Sequence, residues 1–185
     1  MLRNCALVLA LAMSASSALA QSIESGREGV LADILAPTPG KRICYARRYS
    51  KDHLEAHPKQ KVSEIRFQLA YHKHQPDADY PNGMRNYYFR LIAKLRGSSR
   101  TYSTTGECSA SGSNIFCGVE CDGGGVNIRA RQPNKLLVFF GDSDEIRMAD
   151  GCDEGDSLQL KAGADDKEFL LSAVPQDACP PYGAW

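Results

Sequence analysis

Residues 108–131 read CSASGSNIFCGVECDGGGVNIRAR, and the placement of glycine in this stretch decides the fold. A Gly-Ser pair set between alternating residues marks a two-residue type II′ hairpin turn, because glycine accepts the positive φ of the first turn position. With Gly112-Ser113 at the turn, Ser111 faces Asn114, Ala110 faces Ile115 and Cys108 faces Cys117. Counting outward from the hydrogen-bonded pair puts the cysteines at a non-hydrogen-bonded position. Cα atoms lie about 4.5 Å apart there, within disulfide reach. A second turn at Gly123-Gly124 sets Cys121 opposite Val126, Val119 opposite Ile128 and Cys117 opposite Ala130. Both turns send these residues to one face and Glu120, Asn127, Arg129 and Arg131 to the other, so the two readings agree.

Outward from this hairpin the same period of two continues. Ile65, Phe67, Leu69 and Tyr71 alternate with Glu64, Arg66 and Gln68, and Tyr87, Phe89, Leu91, Ala93 and Leu95 alternate with Tyr88, Arg90, Ile92, Lys94 and Arg96. Such alternation describes strands with one buried and one wet face. Leu136 to Phe140 is apolar throughout and reads as a strand covered on both faces. Turn residues recur between the runs, at Gly97, Gly112, Gly123, Pro133, Asp142 and Gly163. The fold class expected is all-β and mainly antiparallel. It is a single-domain meander of eight to ten short strands, an up-and-down barrel favoured over a sandwich. That domain spans residues 41–185 and includes a C-terminal tail, 175–185, whose Trp185 is expected to plug one barrel end. Residues 21–40 read as a loosely ordered lead-in. Val30, Leu31, Ile34 and Leu35 have helical spacing there, before Pro37 and Pro39.

The first 20 residues combine Arg3, a short apolar run and Ala18-Leu19-Ala20, the pattern of a secretory signal peptide cleaved after Ala20. The run is too short to cross roughly 30 Å of hydrocarbon, so the mature chain is expected to be periplasmic or secreted and not membrane-spanning. Cleavage removes Cys5 from the 7 cysteines and leaves an even set. In an oxidising compartment such a set reads as disulfides. Beyond Cys108–Cys117, a Cys44–Cys179 bond would close the domain and leave Cys121 for Cys152.

Lys and Arg balance Asp and Glu at 22 each, yet residues 41–100 carry 14 basic against 5 acidic side chains and residues 101–185 carry 6 against 14. No basic cluster is dense enough to stand alone, so no nucleic-acid partner is expected. Neighbouring strands from the two halves would balance each other.

Four histidines fall in two pairs. His53 and His57 share one face of a helical turn capped by Ser50, but no glutamate follows His53 and Pro58 ends the segment, so a solvated polar loop outweighs a metal site. His72 and His74 share one side of a strand without a nearby cysteine or third histidine. The acidic run Asp142, Asp144, Glu145, Asp150, Asp153, Glu154 and Asp156 lacks the spacing of a helix-flanked calcium loop. No serine sits in a nucleophile elbow, and no cysteine is left over as a nucleophile. No catalytic residue, metal or cofactor is expected.

The longest connection between strands, 72–86, is the candidate binding loop, with His72, His74, Tyr80 and Arg85 in it and Tyr87 and Tyr88 at its exit. The expectation is an exported, soluble, non-enzymatic binding protein that holds an unknown small molecule or an envelope or extracellular protein at a barrel mouth or this loop. The alternative is a secreted inhibitor or structural envelope protein acting through protein–protein contact.

Overall fold

Each alternating run becomes a strand in the computed structural model, which describes residues 22–149 and 157–181. The strands are β1 (Arg42–Arg48), β2 (Val62–Lys73), β3 (Arg85–Leu95), β4 (Thr101–Ser111), β5 (Asn114–Gly118), β6 (Gly125–Arg131), β7 (Lys135–Phe139), β8 (Glu145–Met148), β9 (Leu158–Lys161) and β10 (Glu168–Val174). Eight of them close an antiparallel barrel in the order β1-β10-β7-β6-β5-β4-β3-β2, and β8-β9 form a separate two-stranded sheet between β7 and β10. The architecture is therefore an up-and-down barrel interrupted by one hairpin. Each of the eight strands has a hydrogen-bonded neighbour on both sides, with β4 pairing to β5 only over Glu107–Ser111.

Period-two side chains fill the interior. Ile65, Phe67 and Leu69 of β2 are fully buried, as are Tyr87, Phe89 and Leu91 of β3 and Leu136 and Val138 of β7. The Phe67 and Phe89 rings stack at 5.7 Å, and Tyr71 meets Tyr87 edge-on at 5.1 Å. Burying each such side chain contributes about 1.5–3 kcal/mol. An exposed ion pair such as Arg27–Glu24 contributes about 1 kcal/mol at most. Packing, not surface charge, holds the barrel.

Two disulfides join described residues, Cys108–Cys117 across β4 and β5 and Cys44–Cys179 over 135 residues of sequence. The first has its Cα atoms 4.0 Å apart, and its neighbours pair as Ser111 with Asn114 and Ala110 with Ile115. Of the two turn residues only Gly112 takes a positive φ, +58°, the II′ pattern. Cys121 is also disulfide-bonded. Its expected partner Cys152 lies outside the described residues, as do the signal segment, Trp185 and Asp150, Asp153, Glu154 and Asp156.

The second turn departs from expectation. Cys117 faces Val126, not Ala130, and Ile115 faces Ile128. The chain reverses over 119–124, with Cys121 and Asp122 at positive φ, instead of at Gly123-Gly124 alone. Those glycines receive β8: Arg147 N–H donates to Gly123 O at 2.7 Å, and Gly124 bridges Ile146. The register moved by four residues, an even number, so Val126 and Ile128 still point inward.

The lead-in packs on the barrel. Helix α1 (Leu31–Ile34) sets Leu31 and Leu35 into the core cluster, and the Tyr87 hydroxyl donates to Leu35 O at 2.8 Å. This covers the barrel end near the Gly112 turn. Ile146, Met148 and Leu160 of the β8–β9 hairpin join the core at the other end. Nor do the charges balance strand by strand. The basic strands β1, β2 and β3 are contiguous around the barrel and meet the rest only at the β1–β10 and β3–β4 seams. The expected double cover of 136–140 is partial, since Phe139 is half-exposed beneath the Arg129 guanidinium, 5.6 Å from its ring centroid.

Past the 3-10 turn Gln176–Ala178, the described tail crosses the outer wall of β2 and β3. Arg66 Nη1 donates to Ala178 O at 2.8 Å, Gln68 Nε2 to Pro180 O at 3.2 Å and Arg90 Nη1 to Pro181 O at 3.4 Å.

Candidate functional site at the long hairpin

The β2–β3 hairpin is longer than the sequence indicates, because Lys73 pairs with Arg85 and His72 with Asn86. His72, Arg85, Tyr87 and Tyr88 are therefore strand residues, and the connection proper is 74–84. That loop is braced from within. Asp77 Oδ1 accepts the backbone N–H groups of Asp79 and Tyr80 at 3.0 and 2.6 Å, Asp77 N–H donates to Tyr80 O at 3.2 Å, and Gly83 N–H donates to the same carbonyl at 2.8 Å. An aspartate at a turn start organises its own backbone in this way. Tyr80 stands at the tip, 36% exposed, among exposed neighbours from 75 to 82.

Strand alternation splits the expected binding residues between two environments. Tyr87 points inward and is fully buried, and burial raises its phenol well above the usual range. Burial raises the Tyr71 pKa and the charge of Arg85 opposes the rise, while the Arg85 backbone is tied to the lead-in through Ser22 Oγ and Ile23 N–H. Both are thus engaged within the fold.

His72, His74 and Tyr88 meet on the outer wall. His74 Nε2 and Tyr88 Oη are hydrogen-bonded at 2.7 Å, and the two imidazoles lie edge-on at 4.5 Å. Burial, then the nearby His74, lowers the pKa of His72. Burial first, then the Glu107 carboxylate, pushes Tyr88 up to about 12, so the phenol keeps its proton at neutral pH.

Two residues that the sequence did not single out complete this wall. Asn86 Nδ2 donates to Glu107 Oε2 at 3.0 Å, and Glu107 sits across β4 from Tyr88. Burial raises the Glu107 pKa; the Asn86 hydrogen bond opposes this and Glu120 adds to it. Only the β3–β4 register brings these groups together, and Gly97-Ser98-Ser99 does not specify it.

Comparison with protein-family models, curated proteins and solved structures returned no match.

Among the described residues no group of three or more His, Cys, Asp or Glu could hold a metal ion. His53 in α2 (Lys51–Ala56) and His57 at its C-cap do lie together, with Ser50 Oγ accepting from His53 N–H and their rings stacked at 4.2 Å. One nitrogen of each is engaged, His53 Nε2 by Gln60 Oε1 and His57 Nδ1 by His53 O. Of the acidic run, Glu145 pairs with Lys161 at 2.8 Å. The outer wall therefore offers two partly exposed imidazoles and a half-buried carboxyl beside an internally hydrogen-bonded, tyrosine-tipped loop, while Tyr88 and Asn86 are themselves buried. That inventory suits contact and hydrogen bonding.

Proposed function

We propose that this is an exported, non-enzymatic binding protein that grips another protein of the envelope or extracellular space through its 74–84 loop and the adjoining His72 and His74, the latter hydrogen-bonded to the buried Tyr88. The supporting observation is the internally hydrogen-bonded loop carrying Tyr80 on the rim of a barrel filled with its own side chains. A loop already ordered loses less entropy on docking, and tyrosine supplies contact area at low entropic cost. The barrel-mouth reading has less support, because Leu31 and Leu35 occupy that end. Disulfides are compatible with a periplasmic or secreted location, and no helix among the described residues is long and apolar enough to cross a membrane.

The test is crosslinking capture from the native envelope fraction with wild type, Tyr80→Ala and a distant control, Lys135→Ala. A defined protein captured by wild type and control, and weakened about tenfold or more by Tyr80→Ala, supports the reading. Equal capture by all three proteins overturns it. So does a small molecule retained by the purified protein in native mass spectrometry without any protein partner.

A further inference from the structure

At the opposite end of β2 from the 74–84 loop lies a cleft of about 390 Å³ that the reading above does not use. Helix α2 forms one wall through Lys51 and Leu54. Arg48 and Tyr49, where β1 ends, form another, and Lys94 and Arg96, where β3 ends, form the floor. Its size falls in the range of small-molecule sites, generally about 300–1,000 Å³.

Several contacts hold the walls in place. Arg96 Nη1 donates to Leu54 O at 2.8 Å and Arg96 N–H to Lys61 O at 2.7 Å, which ties the helix to β3. Tyr49 N–H donates to Ser63 O at 3.0 Å, and its ring is held between His53, stacked at 4.7 Å, and the Arg47 guanidinium, 5.3 Å from the centroid. Ser63 is the extra residue of a β-bulge between the Val62–Leu95 and Glu64–Lys94 pairs, and its hydroxyl donates to Lys94 O at 3.1 Å. Bulges commonly re-aim side chains beside binding sites.

The charge of the lining is unbalanced, with four cations against Glu55 and Glu64. Glu64 is held by Arg66 and lies 3.7 Å from Arg48, and Glu55 lies 3.7 Å from Lys51. Lys94 has no ion-pair partner among the described residues, and it is half-buried, where screening by water is reduced. Arg96 uses one nitrogen on Leu54 O, which leaves guanidinium donors for a ligand. The cleft also lies on the basic arc of β1–β3, whose field draws anions toward it.

We infer that this cleft binds a small soluble organic anion: an acidic group, phosphate or carboxylate, sits on Lys94 and Arg96, and a ring or hydrocarbon body lies against Tyr49 and Leu54. A bare inorganic ion would leave most of the volume empty. The site is separate from the loop and stands or falls independently of the protein-contact reading.

Phenyl phosphate is the probe, titrated into the full mature chain and followed by amide NMR shifts. The expected result is saturable shifts confined to residues around Tyr49, Leu54, Ser63 and Lys94. Inorganic phosphate and uncharged benzyl alcohol should each bind more weakly, and added salt should weaken phenyl phosphate binding. Lys94→Gln should raise the dissociation constant about tenfold, the weight of one charge-assisted contact, whereas Lys73→Gln at the far end of β2 leaves it unchanged. The inference is overturned if no anion saturates, if the shifts map elsewhere, or if benzyl alcohol binds as well. Salt-independent binding by wild type overturns it without reliance on any variant. Vesicles of phosphatidylglycerol separate the sources: binding to them without any response to phenyl phosphate assigns the cleft to a lipid surface and overturns a soluble ligand.

Discussion

Gly112 and Gly124 both hold positive φ, +58° and +69°, but their neighbours differ. A Cβ on Gly112 would meet open space, whereas one on Gly124 would lie 2.3 Å from Glu145 O. Gly112→Ala is expected to cost about 1 kcal/mol of stability from backbone strain alone. Gly124→Ala should cost more, roughly 2–4 kcal/mol, because it also pushes β8 off its seat. Urea unfolding of the two variants checks the order, and equal losses would count against β8 docking. Glu107 makes a prediction of a different kind. Its folded pKa lies above the ordinary carboxylate value, so its contribution is fully present at low pH and is lost as pH rises through the raised value. Glu107→Gln should therefore be more stable than wild type at neutral pH, with the advantage vanishing in acid, where wild-type Glu107 carries its own proton. Denaturant midpoints across that window measure it; a gain that persists in acid would assign the effect to packing.

The β4–β5 hairpin was legible because its turn residues and its cysteines carry the same register. Its disulfide closes a short loop, and removing it as Cys108→Ala/Cys117→Ala is expected to cost about 2.7 kcal/mol by the chain-entropy relation. The melting temperature of the double variant checks this, and an unchanged value would show that the bond constrains little. The next reversal was misread in detail. Three glycines in a row look like a turn, yet Gly123 and Gly124 serve as a seat for β8, Gly125 starts β6, and the turn itself falls on Cys121 and Asp122. Sequence spacing cannot reveal a docking element drawn from 22 to 24 residues further on. The candidate site shows the same division. Alternation alone separates Tyr87 from Tyr88 once the strand is recognised, but the pairing of His74 with Tyr88 and of Asn86 with Glu107 depends on cross-strand register.

At the scale of the whole molecule, segments outside the barrel strands decide its closure and its outer surface. Leu31 is fully buried at one end, and Leu31→Ala should cost about 2–5 kcal/mol, a core-sized loss from a residue in the lead-in. Chemical denaturation measures it, and a loss below about 1 kcal/mol would mean that α1 is dispensable. The Cys44–Cys179 bond fastens the tail across β2 and β3. Cys44→Ala/Cys179→Ala should lower stability by up to about 5 kcal/mol and speed hydrogen exchange of the 176–179 amides. Unaltered exchange there would show that Arg66, Gln68 and Arg90 hold the tail unaided. The sequence by itself determined the strand pattern, the inward face of every long strand and the Gly112 turn. These are local consequences of a two-residue period and of a glycine that tolerates positive φ. Only the tertiary structure decided where β8 docks, how the basic strands gather on one side and which residues face each other on the outer wall. Those contacts join residues far apart in the chain, and their energy comes from packing and register that no local spacing encodes.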